Sequence, residues 1–126
     1  MKKELIAAII LVIIFVGSIA NMYYIEHVTE EIVSFIDEAS DAVASEDWET
    51  ASEKAEKAAE IWNSNESHAN IFLRHETINS ATESIYQFVM QTELEESKEA
   101  LVAAELAKDN FSNIALMEKL RFGSIF

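Results

Sequence analysis

His27, His68 and His75 are the side chains with the widest chemical repertoire in this chain, since imidazole serves both as metal ligand and as general base. Their spacing suits neither role. A di-iron bundle needs Glu-x-x-His on two helices, whereas the residues three before these histidines are Tyr24, Asn65 and Phe72. His75-Glu76-Thr77-Ile78 lacks the second histidine of a zincin motif. His68 and His75 are seven residues apart, which on one helix puts them on one face but two turns from each other. No third ligand closes that gap. His75 falls instead in an apolar stripe between Phe72 and Ile78, and the expectation is a buried, neutral imidazole hydrogen-bonded to a neighbouring helix. Burial would make its protonation costly, so His75 is the candidate pH-sensitive residue.

The carboxylates are spread along the chain without the Asp-x-Asp-x-Asn-Gly pattern of a calcium loop. A solvated acidic face is the expectation, with loose divalent-cation binding as the alternative. Neither a Ser-His-Asp arrangement, a glycine-rich phosphate loop nor a nucleophile elbow is present. The absence of cysteine excludes thiolate zinc sites, disulfides and thiol redox chemistry. We therefore expect no catalytic site, no cofactor and no metal. Trp48, Trp62 and Phe72 are read as core anchors and not as a ligand-stacking box. The chain ends Ser124-Ile125-Phe126, a candidate interaction tail that could add as a strand to a partner with carboxylate-binding amides. Its alternative is to fold back and seal the end of the domain.

What must position these residues is helical. There is no proline, and the only glycines are Gly17 and Gly123, so no breaker occurs between them. Ile25, Val28, Ile32, Ile36, Ala39 and Val43 advance in steps of three and four, as one face of a helix does. Trp48, Ala51, Ala55, Ala59 and Trp62 form a second stripe. Phe72, His75, Ile78, Thr82, Ile85 and Val89 form a third, and Leu94, Leu101, Ala104, Phe111 and Ile114 a fourth. With Ser45 as an N-cap, the polar run Asn63-Ser64-Asn65 as a break and Thr92 to Glu95 as a capping box, the helices are expected over 22–44, 46–63, 67–91 and 93–119. The fold class is all-α: a transmembrane helix continuing into a four-helix bundle of two helical hairpins.

The amino-terminal segment sets the address. Leu5 to Ala20 is free of charge, and the apolar pattern runs on to Ile25, interrupted by Asn21. Twenty-one helical residues span about 30 Å, the thickness of a bilayer's hydrocarbon core. Tyr23 and Tyr24 fall where an interfacial aromatic belt would sit, and Lys2 and Lys3 flank the other side. By the positive-inside rule residues 1–25 anchor the chain with a cytoplasmic amino terminus, and residues 26–126 form an extracytoplasmic domain. A signal peptide cleaved after Ser18-Ile19-Ala20 is the competing reading and would leave a secreted bundle. After Ile25 come 22 acids and 7 bases, a charge that repels nucleic acid and anionic headgroups.

One set of residues resembles a known family. It comprises the amino-terminal apolar helix, Glu46-Asp47-Trp48-Glu49-x-Ala51, Trp62, Phe72-Leu73-x-His75-Glu76-x-Ile78, Ala100-Leu101, Glu105-Leu106 and the terminal Ser124-Ile125-Phe126. Together they resemble the bacterial domain of unknown function 4363. The resemblance implies a small, membrane-anchored, helical, extracytoplasmic protein of Gram-positive bacteria, and it brings no activity with it. Asn79 and Ser80 stand where the family has acids, so no polar role is carried over to them. The expected function is that of a non-enzymatic, single-pass membrane protein whose acidic bundle binds another membrane or envelope protein. The alternative is a sensor or accessory subunit responding to extracytoplasmic pH or cations.

Overall fold

The computed structural model describes residues 1–125; the side chains of Asn70, Ile71, Phe72, Phe122 and Ile125, and the whole of Phe126, lie outside the described residues. Four helices carry 92% of the chain: α1 (Lys2–Ala44), α2 (Trp48–Phe72), α3 (His75–Glu93) and α4 (Ser97–Ile125). No strand occurs among the described residues. Each helix packs on its two neighbours in the cyclic order α1, α2, α3, α4, closing a four-helix bundle. Lys108 of α4 reaches Asp37 of α1, and Lys119 reaches Glu26, so α1 and α4 run antiparallel.

Small and large core residues alternate between helices. α1 and α3 supply Ile32, Ile36, Ile78, Ile85 and Phe88, while α2 and α4 supply alanines at almost every inward position. The exceptions on α2 and α4 are Trp62, Phe111 and Ile114, besides the buried Glu118, and the Trp62 and Phe111 rings meet edge-on with centroids 5.1 Å apart. These two helices are diagonal partners, so the pair fills the bundle axis where alanine would leave a void. The indole Nε1–H donates to Thr82 Oγ1 on α3 at 2.8 Å, which satisfies the one polar atom this ring brings inside.

Both hairpins turn in the same way. Glu46 N–H donates to Val43 O and Asp47 N–H to Ala42 O; Glu95 N–H donates to Thr92 O and Glu96 N–H to Gln91 O. This is the Schellman pattern, which requires a left-handed residue just past the helix end. Glu46 (φ 58°) and Glu95 (φ 57°) occupy that position, where glycine is usual.

The turns shift several expected boundaries. Ser45 closes α1, its hydroxyl bonding back to Asp41 O and Ala42 O, and Asp47 caps α2 by accepting from Thr50 N–H at 3.3 Å. Thr92 is buried inside α3, its hydroxyl donating to Phe88 O, so it cannot open α4. The polar run at 63–65 does not break α2. Ser64 Oγ donates to Glu60 O and Asn65 Nδ2 to Ile61 O, so these side chains bond within their own helix and it continues to Phe72. The break falls at Leu73 and Arg74, both extended.

α1 alone among the described helices is long and apolar enough to cross a membrane. Residues 5–17 are exposed, and the first half-buried positions are Ser18 and Ile19. The helix runs unbroken through residues 25 and 26, so the exposed apolar segment and the bundle share one rod.

Candidate functional site

The structure separates the two histidines that the sequence placed on one face: His68 is on α2 and His75 on α3. His75 is the first residue of α3 and is exposed, which corrects the expectation of a buried imidazole. The reason is local. Arg74 is extended (ψ 141°), so the third stripe begins at Ile78 and the residues before the break belong to another helix. Trp62 is 2% exposed, whereas Trp48, at the first turn of α2, is half-buried against the core. Phe72, Ile125 and Phe126 fall outside the described residues. Ser124 is exposed and helical, because α4 passes through Gly123 without a turn. Among the described residues no group of three or more His, Asp or Glu is placed to hold a metal ion.

The polar cluster that the structure does assemble lies at the base of the bundle, where α1 leaves it. Asn21 on α1 is its hub. The amide Nδ2 donates to Glu118 Oε1 on α4 at 3.1 Å, and Oδ1 lies 3.0 Å from His68 Nε2 on α2. With Nδ2 facing the carboxylate, Oδ1 must accept, so His68 carries a proton on Nε2. The Tyr24 ring stands edge-on to His68 with centroids 4.5 Å apart, and its hydroxyl donates to Asn65 Oδ1. Arg121 lies 3.7 Å from the other oxygen of Glu118, a residue only 7% exposed. The cluster contains no nucleophile paired with a base. Its chemistry is that of a clasp, joining the lower end of α1 to α2 and α4. Sequence reasoning noticed Asn21 only as an interruption of the apolar segment. That interruption was the available signal, because an amide in such a segment needs partners.

Two further features lie on the flanks. Lys108 donates to Asp37 at 2.8 Å and pairs with Glu105 at 2.9 Å, and these hydrogen bonds, Asp37 first, hold its ammonium above the ordinary lysine pKa. Lys119 is raised likewise by its hydrogen bond with Glu26. Between α3 and α4 runs an open groove of about 630 Å³, floored in part by Val102, Ala103 and Leu106 and rimmed by Glu83, Lys98 and Glu99. Tyr86, Met90, Leu94, Val102 and Leu106 are exposed on this hairpin.

Residues 19–125 match the model of the family described as domain of unknown function (DUF4363), and the chain belongs to that family. The match begins one residue after α1 first becomes half-buried, so it covers the bundle with the clasped part of α1. No curated protein matches the chain, and no solved structure does.

Proposed function

We propose that this member of the family is a non-enzymatic, single-pass membrane protein whose acidic bundle lies outside the cytoplasm and binds another membrane or envelope protein. The observation that carries the reading is α1 itself. Its apolar residues 5–17 are left exposed by the bundle, while the same helix, without a break, supplies the bundle's first wall. Thirteen exposed apolar or small residues in a row are costly in water and favourable in lipid. Lys2 and Lys3 precede the segment and no Lys or Arg follows it before Lys54, which favours a cytoplasmic amino terminus. The groove between α3 and α4, with its exposed Val102 and Leu106, is the surface we assign to the protein partner.

A photo-crosslinking residue at Leu106 in the full chain, activated in the native membrane, tests this reading. We expect one discrete adduct with an envelope protein, lost when the crosslinker is moved to the exposed, acidic Glu53 side of α2. An adduct pattern identical at the two positions would remove the groove from the proposal. An alkaline phosphatase fusion after Phe126 is expected to be active, and a mature amino terminus at Asn21 would replace the anchor by a secreted bundle.

A sensor reading has one observation in its favour. The Asn21 clasp joins α1 to α2 and α4, so a rearrangement of the bundle would be transmitted to the span. The exposed His75 gives that reading no support.

A further inference from the structure

We infer that the base of the bundle is a lipid-contacting surface, with the last turns of α4, around Met117 and Leu120, seated in the interfacial layer of the bilayer that α1 crosses. The inference rests on the anchor reading and adds a second membrane contact to it.

The argument begins with length. Leu5 to Ala20 rises only about 24 Å, short of the roughly 30 Å of a hydrocarbon core. Starting from Leu5, the first residue past the charged end, a 30 Å core reaches about Tyr24. The bundle has begun by then, since Ser18, Ile19, Asn21 and Met22 are already half-buried in it. Asn21 bonds Glu118 and Glu26 pairs with Lys119, which puts this part of α4 level with residues 21–26 of α1. α4 then continues to Ile125, about 10 Å further toward the span at the helical rise. A chain anchored through α1 therefore sets Met117 and Leu120 at about the hydrocarbon boundary, with the end of α4 about 10 Å beyond it.

The residues at that depth suit it. Met117 and Leu120 are 52% and 64% exposed, with no protein covering them. The polar groups beside them are paired internally: Glu118 with Asn21 and Arg121, Asn21 with His68, Tyr24 with Asn65. Such pairing is what a medium of low dielectric demands. Lys119 reaches upward to Glu26, away from the span, as a lysine near a bilayer does.

Charge is segregated to match. Residues 66–78 and 116–125, at the base, carry three acids and three bases. Residues 41–49 and 93–99, around the two turns at the opposite end, carry eight acids and one base. The net charge that opposes headgroup contact is thus concentrated on the end that faces away.

The test uses the full chain in phosphatidylcholine vesicles containing a nitroxide-labelled phosphatidylcholine, with the nitroxide either just below the headgroup or deep in the acyl chain. The protein has no cysteine, so Ile13→Cys, Leu120→Cys and Val102→Cys each give a single bimane label. Both bundle positions are exposed, so neither substitution disturbs the core. We expect the Leu120 label to lose emission to the shallow quencher more than to the deep one. The Ile13 label should show the reverse order, and the Val102 label should lose none to either. If Ile13 is quenched and Leu120 is not, the bundle stands clear of the bilayer and the inference is overturned, leaving that face to a protein partner. If Ile13 is also unquenched, the anchor reading falls and takes the inference with it.

Discussion

Replacing Glu46 by glycine should stabilise the protein, although it removes a side chain from an acidic turn that the family resemblance singles out. Glu46 has φ 58°, a conformation in which Cβ crowds the following carbonyl at a cost of about 1–2 kcal/mol. Glycine removes that cost but loses more backbone freedom on folding, about 0.5–1 kcal/mol. The balance is a gain of about 0.5–1 kcal/mol at each turn, since Glu95 repeats the geometry at φ 57°. Charge must be separated from strain, because removing any acid from a chain of net charge -14 relieves repulsion. Glu46→Gln keeps the Cβ and loses the charge, so it measures the electrostatic part alone. The assay is thermal unfolding of the full chain in detergent micelles, followed by fluorescence of Trp48 and Trp62. Glu46→Gly should melt about 2–5 °C above Glu46→Gln, and the Glu46→Gly/Glu95→Gly double variant should gain roughly twice as much. Equal melting of Glu46→Gly and Glu46→Gln would refute the reasoning and show that the turn holds glutamate without strain.

Trp62→Ala should cost ~3–5 kcal/mol, because it empties the bundle axis and leaves Thr82 without its donor; Trp48→Ala, at a half-buried ring, should cost less than half as much in the same denaturation series. Lys108→Met removes a partly buried ion pair worth ~0.5–1 kcal/mol. Because the folded pKa of Lys108 is raised, that contribution is full below the unfolded value of about 10.4 and lost as pH rises through the folded one. Wild type and variant should therefore differ at pH 8 and converge in melts taken well above pH 11. His75→Leu should change stability by no more than about 0.5 kcal/mol, and a larger loss on chemical denaturation would return the ring to the core. Asn21→Ala leaves Glu118 buried without its amide donor and should cost about 1–3 kcal/mol, read as a lower melting temperature of the full chain.

The helices were legible in the sequence because their stripes repeat over many turns, and each stripe buries a face. Ile32, Ile36, Ile78, Ile85, Phe111 and Ile114 are all inside, as their spacing required. The two hairpin turns were legible to within a few residues, at 45–47 and 94–96, but the break between α2 and α3 was not, since it depends on competition between side-chain and backbone bonding. Asn63-Ser64-Asn65 has a loop-like composition, yet Ser64 and Asn65 bond to carbonyls one turn earlier and leave the helix intact. Glu46 and Glu95 sit where a glycine would have announced the turn. The unread break at Leu73 and Arg74 also misplaced His75: it puts the ring in the first turn of α3, exposed and ahead of the first buried residue, Ile78. The clasp was legible in part. A single Asn in an apolar segment shows that a partner is required, but which of the distant polar residues meets it is decided by the antiparallel register of α4.

The same register bears on how the two ends of the molecule differ. An unbroken helix through residues 18–26 is stiff on the scale of a few turns, and the bonds from Asn21 to Glu118 and His68 prevent α1 from rotating independently of α2 and α4. Tilt of the apolar segment must then become tilt of the whole bundle. The distal turns lie about 30–40 Å along α1 from Asn21, judged from the 24 residues that separate it from Ser45, so a small rotation at the base becomes a large displacement of the acidic end. Flexibility of the kind a linker provides is absent by construction, since no glycine or proline occurs between Gly17 and Gly123. A partner docked between α3 and α4 would therefore be held at a height and azimuth set by α1, and inserting a Gly-Ser pair after Gly17, outside the packed part of α1, should weaken crosslinking at Leu106 while leaving the bundle folded.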